Sequence, residues 1–160
     1  MNHAELVIRA RRWLLNTQRC ALVSAEARCM AISEQPDAVG WHANGHCLVV
    51  ECKASWEDFM RDQHKCHHRA GRAIGTRRWY LTPPALVLPE VVPADHGLLW
   101  AYPQVVRVQK KAPARTHDAK VQRLEQAMLL ALGRQRVLRL EGRLDSLRAQ
   151  LVRLREGERQ

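Results

Sequence analysis

At 160 residues, the chain is long enough for one compact domain plus an appendage, and no apolar run approaches the ~20 residues needed to span a bilayer. A formal net charge of +10, carried mostly by arginine, and a pI near 10.1 favour a polyanionic partner, with nucleic acid first, because arginine suits bidentate phosphate contacts. Five cysteines, an odd number without framework spacing, argue against a disulfide scaffold; Glu5, Arg9, Arg11 and Arg12 interrupt any signal-peptide pattern, so the expected setting is reducing and cytoplasmic.

Residues 3–17 carry Leu6, Val7, Ala10, Trp13 and Leu14 at helical spacing, which predicts one amphipathic helix. Cys20 to Ala25 is a short apolar run and reads as a strand ending at Glu26. A hairpin is expected over residues 37–53. Ser55 then caps a helix, with Asp58 three residues on. Trp56, Phe59 and Met60 are its expected buried side, and Asp58, Asp62 and Lys65 its polar side. This helix is expected to end near Gly71-Arg72. Arg77 to Leu81 reads as a strand stopped by Thr82-Pro83-Pro84. A proline-punctuated segment follows, then short strands at Gly97 to Ala101 and Val105 to Gln109. Alternating helices and strands imply one α/β (α+β) domain with a mixed central sheet.

The chemistry concentrates in the hairpin. Pro36-Asp37 precedes one arm, and Glu51-Cys52-Lys53 ends the other after Leu48-Val49-Val50. Strand alternation puts Glu51 and Lys53 on one face and turns Cys52 towards the core. A three-residue loop Ala43-Asn44-Gly45, with Gly45 at the left-handed position, pairs His42 with His46 and Asp37 with Glu51. A two-residue Asn44-Gly45 turn would pair Asp37 with Cys52 and separate the carboxylates, because a one-residue slip reverses every side chain. The three-residue loop is the expected one. Two carboxylates can then hold a divalent cation through oxygen. The cation lowers the pKa of a bound water, and a lysine orients that water or stabilises transition-state charge. Such a set suits phosphodiester hydrolysis. The dense cluster His64, Cys66, His67 and His68 lacks a Cys-x2–4-Cys knuckle and is expected on a solvated helix face, not as a zinc site.

Taken in order, these residues resemble the PD-(D/E)XK nuclease superfamily. Pro36-Asp37 matches its first motif and Glu51-Cys52-Lys53 its second. The run Lys53, Ser55, Asp58-Phe59 and Asp62 resembles a subgroup of small phage and bacterial nuclease-like proteins. In that subgroup a Lys-x-Ser-x-x-Asp-Phe-x-x-Asp run leads from the catalytic strand into a helix. Arg78 to Pro83 and His96 to Leu99 resemble its next strands. The resemblance implies a restriction-endonuclease-like core of a helix, a three-stranded meander, a helix and a further strand. It implies Mg²⁺ or Mn²⁺ and cleavage of nucleic acid, with DNA the expected substrate. Asp37, Glu51 and Lys53 would be catalytic. Asp37, Glu51 and the Cys52 main-chain carbonyl would hold metal, with Glu26 or Glu5 as further candidate carboxylates. Lys65, Arg61, Arg69, Arg72, Arg77 and Arg78 are the candidate phosphate contacts. The superfamily also contains inactive members, so a nucleic-acid-binding module or a coiled-coil adaptor that keeps the fold is the alternative.

Residues 114–160 differ in character from the nuclease-like residues 1–113, and Ala112-Pro113-Ala114 is the expected linker. They lack proline and aromatic residues. Leu130, Val137, Leu144 and Leu151 recur every seventh position, and Leu140, Leu147 and Leu154 lie three further on. That is a short heptad seam on a long C-terminal helix, weakened by about 1 kcal/mol at each of Gly133 and Gly142. A homodimer through this seam is the first expectation, and packing back on the domain the second. No membrane partner is expected.

Overall fold

The computed structural model describes residues 1–25, 35–62, 73–117 and 119–157. Helix α1 (His3–Arg12) starts at a capping box. The Asn2 side chain accepts from the Glu5 N–H, and Glu5 accepts from the Asn2 N–H, both at 2.9 Å. These bonds satisfy amides that the first turn leaves orphaned. Arg9, Arg11 and Arg12 in the last turn complement the helix dipole. The helix runs on as a π-helical turn, Trp13–Thr17. Strands β1 (Leu22–Ala25), β2 (Ala38–Trp41) and β3 (Cys47–Cys52) follow, then α2 (Trp56–Asp62), β4 (Arg77–Thr82), β5 (Gly97–Ala101) and β6 (Val106–Lys110). Helix α3, Ala119–Gly157, ends the series.

The strands form one mixed sheet in the order β1-β2-β3-β4-β5-β6. The first three make an antiparallel meander, β3, β4 and β5 run parallel, and β6 returns antiparallel to β5. The parallel β3–β4 step needs a crossover, and α2 lies within it. This is the α+β architecture with a mixed sheet and a long C-terminal helix that the sequence predicts.

Alternation along the strands divides the core. One face carries Ala38, Leu48, Val50, Cys52, Trp79, Leu81 and Leu99 against Leu6, Ala10, Trp13 and Leu14. Trp13 meets Trp79 edge to face at 5.3 Å. The other face carries Val39, Trp41, Cys47 and Val49 against Val121, Met128 and Leu132 of α3. Further along that face, Tyr80 and Leu98 pack with Phe59, Val87 and Val92.

The first turns of α3 therefore belong to the domain's core. Each buried Val, Met or Leu there contributes about 1.5–3 kcal/mol. Glu125 sits within the docking stripe, and its Oε1 accepts the Gly75 N–H at 2.7 Å. Gly75 has φ +99°, and a Cβ there would lie 2.8 Å from Val49 Cγ2. Only glycine meets both demands. The Ala112-Pro113-Ala114 stretch is no slack linker. Ala112 is buried, its carbonyl accepts from Arg77, and the Arg115 N–H donates to the Thr76 carbonyl.

Helix α2 corrects a sequence expectation. The Asp58 N–H donates to Ser55 Oγ as the cap requires, and Phe59 is buried, but Trp56 and Met60 are exposed. Asp62, expected on the polar side, is buried instead. Two polar partners draw it inward, as described below. The last sheet strand also starts one residue later than its apolar pattern implies.

A packing prediction follows from Gly97, which pairs with Trp79 in the ladder. A Cβ at Gly97 would lie 2.4 Å from Trp79 Cδ1 and 2.7 Å from the Ala112 amide nitrogen. Gly97→Ala should cost about 1–3 kcal/mol through overpacking, read as a lower urea midpoint.

Candidate active site

The β2–β3 turn fixes the register. Gly45 has φ +84°, and His42 and Gly45 close the loop through His42 N–H to His46 O and Gly45 N–H to His42 O, both 3.0 Å. The loop is the three-residue one. Ala38 pairs with Val50 and Trp41 with Cys47, so the next pair out is Asp37 and Glu51. Cys52 turns to the α1 face as expected.

Asp37 does not simply lie on the sheet face. Its Oδ2 accepts the Cys52 N–H at 2.7 Å, taking the place of a ladder acceptor just before β2 begins. Its Oδ1 lies 3.4 Å from His3 Nε2. The Asp37 side chain is 19% exposed, so this end of the group reaches solvent.

Glu51 and Lys53 share the opposite face from Cys52, and both are buried. Parallel pairing sets Glu51 beside Tyr80, and Val49 beside Arg78. Arg78 is fully buried; its Nη2 donates to Glu51 Oε1 at 3.1 Å and its Nη1 to the Ile74 carbonyl at 2.7 Å. Lys53 Nζ lies 3.1 Å from Asp62 Oδ1. Tyr80 donates its hydroxyl to Asp62 Oδ2, also at 3.1 Å. Burial first, then the Asp62 charge, pushes the Tyr80 phenol far above its ordinary range, so it stays a donor. Two buried acid–base pairs, Arg78–Glu51 and Lys53–Asp62, thus adjoin on one sheet face.

Among the candidate phosphate contacts, Arg78 is a correction. It is buried on Glu51, so it cannot meet a polyanion at the surface. Its position on the Glu51 side of the sheet, alternating with apolar Trp79, is the signal that marks it as interior. Arg61 and Arg77 are exposed, and Arg77 also donates to the Ala112 carbonyl. Lys65, Arg69, Arg72 and Glu26 lie outside the described residues, as does the His64–His68 cluster. The carboxylate of Glu5 is engaged in capping α1, and its neighbour His3 is the residue that faces Asp37. Asp62 and Tyr80 are site residues whose roles the spacing did not reveal, although Asp62 stands in the Lys-x-Ser-x-x-Asp-Phe-x-x-Asp run.

Asp37, Glu51 and the Cys52 main-chain carbonyl are oxygen donors of the kind a small hard cation takes; the Asp37 carboxylate is turned to the Cys52 amide and His3, and that of Glu51 to Arg78. Among the described residues, no three of His, Cys, Asp and Glu converge as a fuller cluster. The field at this point is felt by Cys52. Burial pushes its thiol well up, Asp37 and Glu51 push it further, and Lys53 pulls it down.

The sequence matches no known protein family and no curated relative. The fold is similar to that of a protein of unknown function from Silicibacter pomeroyi, with a TM-score of 0.67 at 18% identity. The match covers 91% of this chain and 93% of that one.

The buried pairs set a stability expectation. Arg78→Leu removes a buried cationic partner of Glu51 and should cost about 3–5 kcal/mol, whereas Arg78→Leu with Glu51→Leu should recover most of that loss. Urea unfolding of the two variants measures the difference. Cys52 should resist iodoacetamide at pH 8 in the folded protein, because its thiol remains protonated; peptide mapping by mass spectrometry reads the modification.

Proposed function

We propose that this chain is a metal-dependent nuclease that hydrolyses phosphodiester bonds of nucleic acid, with DNA its substrate. The observation that carries the reading is the register of the β2–β3 hairpin, which sets Asp37 opposite Glu51 and leaves Lys53 on the Glu51 face. Asp37, Glu51 and the Cys52 carbonyl would hold Mg²⁺ or Mn²⁺. When bound, the cation supplies Lewis-acid polarisation of the phosphoryl group and a more acidic water.

The chain's own residues do the rest. Asp62 holds the Lys53 ammonium in place, and Tyr80 holds Asp62, so the lysine's charge is oriented before substrate arrives. Negative charge that builds on the phosphoryl oxygens in the transition state is stabilised by that ammonium. The solvent-facing Asp37 marks the side from which a backbone approaches. Exposed Arg61 and Arg77, within a chain of net charge +10, supply attraction that depends on salt and is largely blind to sequence.

One observation favours a second reading. The Arg78 guanidinium already neutralises Glu51, which suits a nucleic-acid-binding module that does not cut. The two readings part on metal binding. A nuclease takes up Mn²⁺ by calorimetry and loses it with Asp37→Asn; a pure binding module takes up none and binds DNA equally well in EDTA.

Labelled DNA and RNA, single- and double-stranded, incubated with Mg²⁺ or Mn²⁺ provide the direct test. Lys53→Met should lower cutting by at least ~100-fold while DNA binding persists, because the lysine acts on the transition state. Its loss also removes a buried cationic partner of Asp62, so thermal melts must accompany the assay. A folded Lys53→Met protein that cuts at the wild-type rate would make the assigned mechanism wrong.

A further inference from the structure

We infer that the cleft between the open edge of β1 and the projecting part of α3 binds the phosphate backbone of double-stranded nucleic acid. Strand β1 is the outermost on its side of the sheet. Helix α3 packs Val121, Met128 and Leu132 against the face of β2 and β3, reaches β1, and then runs free: every residue from Arg134 to Leu151 is exposed. Where it passes the β1 edge it leaves a groove of about 230 Å³. Leu22 and Ser24 of β1, Arg136 and Arg139 of α3, and Arg11 of α1 line that groove. Helix α1 packs on the other face of the sheet, so guanidiniums from both faces converge on one strand edge. Among the described residues, no carboxylate and no aromatic ring lines the groove.

The arginines of α3 are not scattered evenly around it. At about 100° per residue, Arg136, Arg139, Arg143 and Arg153 centre within roughly 10° of Val121, Glu125, Met128 and Leu132, the residues on the docked side. The docking stripe thus continues past the sheet as a distal stripe of arginines turned to the same side. The other charged residues between Gly133 and Arg153 are Arg134, Glu141, Asp145 and Arg148. They centre roughly 160° away. There two carboxylates offset two arginines, with Arg148 3.5 Å from Asp145. The excess positive charge of this segment therefore lies on the groove side.

Length and chemistry choose the partner. From Arg136 to Arg153 the stripe runs about 26 Å at 1.5 Å per residue, and a duplex of that length carries about 15 phosphate charges. A free phosphate would engage one or two of these arginines; a continuous polyanion engages the stripe and Arg11 together. Guanidinium suits phosphate because it gives two parallel N–H bonds to one group. Single strands are held largely by stacking their bases on aromatic rings. The groove offers none, so it fits the backbone of a duplex. The groove also adjoins the candidate site. Ala25, at the end of β1, pairs with Ala38, which follows Asp37 in the chain. Alternation sets Glu51 on the sheet face of Val49, where α3 docks.

The choice of partner rests on the nucleic-acid reading above, but the groove does not require cutting, so binding is measured in EDTA. Fluorescence anisotropy of a labelled DNA duplex compares two variants of the full chain that lose equal charge at exposed positions. Arg136→Gln with Arg139→Gln should weaken binding about tenfold and lower the slope of log affinity against log salt by about 1.8. Arg134→Gln with Arg148→Gln should change affinity less than about threefold, because neither side chain faces the backbone. Arg11→Gln, on another helix, should lower the slope by about 0.9. Both double variants should melt as the wild type does. A wild-type chain that binds no duplex, or equal losses in the two double variants, overturns the groove. Displacement of the duplex by polyglutamate, or tighter binding of a single strand, overturns duplex nucleic acid as its partner. A chain that binds through the groove yet never cuts with Mg²⁺ or Mn²⁺ ends the nuclease reading and keeps this one. A chain that cuts while both double variants bind alike ends this one alone.

Discussion

The register of β2 against β3 is the constraint on which the candidate site depends, and three residues set it. Gly45 takes a left-handed conformation that a β-branched residue could hold only with strain. That lets the loop close with three residues and not two. Because side chains alternate along a strand, one residue more or less would exchange Glu51 and Lys53 with Cys52 between the faces. Glu51 and Lys53 would then point at α1, and Cys52 at Tyr80. The turn is distant from the chemistry, yet it decides which side chains the chemistry has.

Burying charge under these strands is costly, and the chain offsets the cost by pairing. An isolated ionised group moved into an apolar interior is penalised by several kcal/mol even after relaxation. Glu51 and Lys53 both lie under 6% exposed, and each has a partner from a different element: Arg78 from β4 and Asp62 from α2. The pairs thereby link three elements that the chain visits in succession. Tyr80 adds a neutral donor to Asp62, leaving the lysine's partner held at both oxygens. Such networks rigidify side chains more than they stabilise the fold. Rigid placement is what a group acting on developing charge needs.

This pattern explains what could and could not be seen in the residues alone. Elements with a clean period were legible: α1 from its apolar spacing, β3 from Leu48-Val49-Val50, and the Ser55 cap from its offset to Asp58. The hairpin register was legible because glycine at Gly45 carries a backbone meaning. Arg78 and Asp62 were not, because a charged residue is solvated unless a partner on another element takes it inside, and sequence spacing does not report partners across a crossover. Trp56 and Met60 failed for the complementary reason. With Asp62 drawn inward, α2 turns a different edge to the sheet, and two large apolar side chains are left outside. Helix α3 shows the same limit. Its heptad leucines were visible, but the stripe that docks it, Val121, Glu125, Met128 and Leu132, mixes a carboxylate with apolar residues. The Gly75 amide and the His117 ring, both on Glu125 Oε1, explain that carboxylate.

The two stripes of α3 have a mechanical consequence. A single continuous helix is anchored at one end by the sheet face that also carries Trp41 and Val49, on the two strands that lead to Asp37 and Glu51. Rotation of the helix about its own axis is opposed by the docked residues and by the bond from Gly75 to Glu125. A partner gripping the distal stripe would act on a lever whose base is the same sheet that positions the acids. Any torque would pass through rigid, hydrogen-bonded elements and not through a flexible tether, since the segment before α3 is itself stitched to Thr76 and Arg77. The long helix is therefore structurally an extension of the sheet's packing, and its free end inherits a fixed direction from the domain.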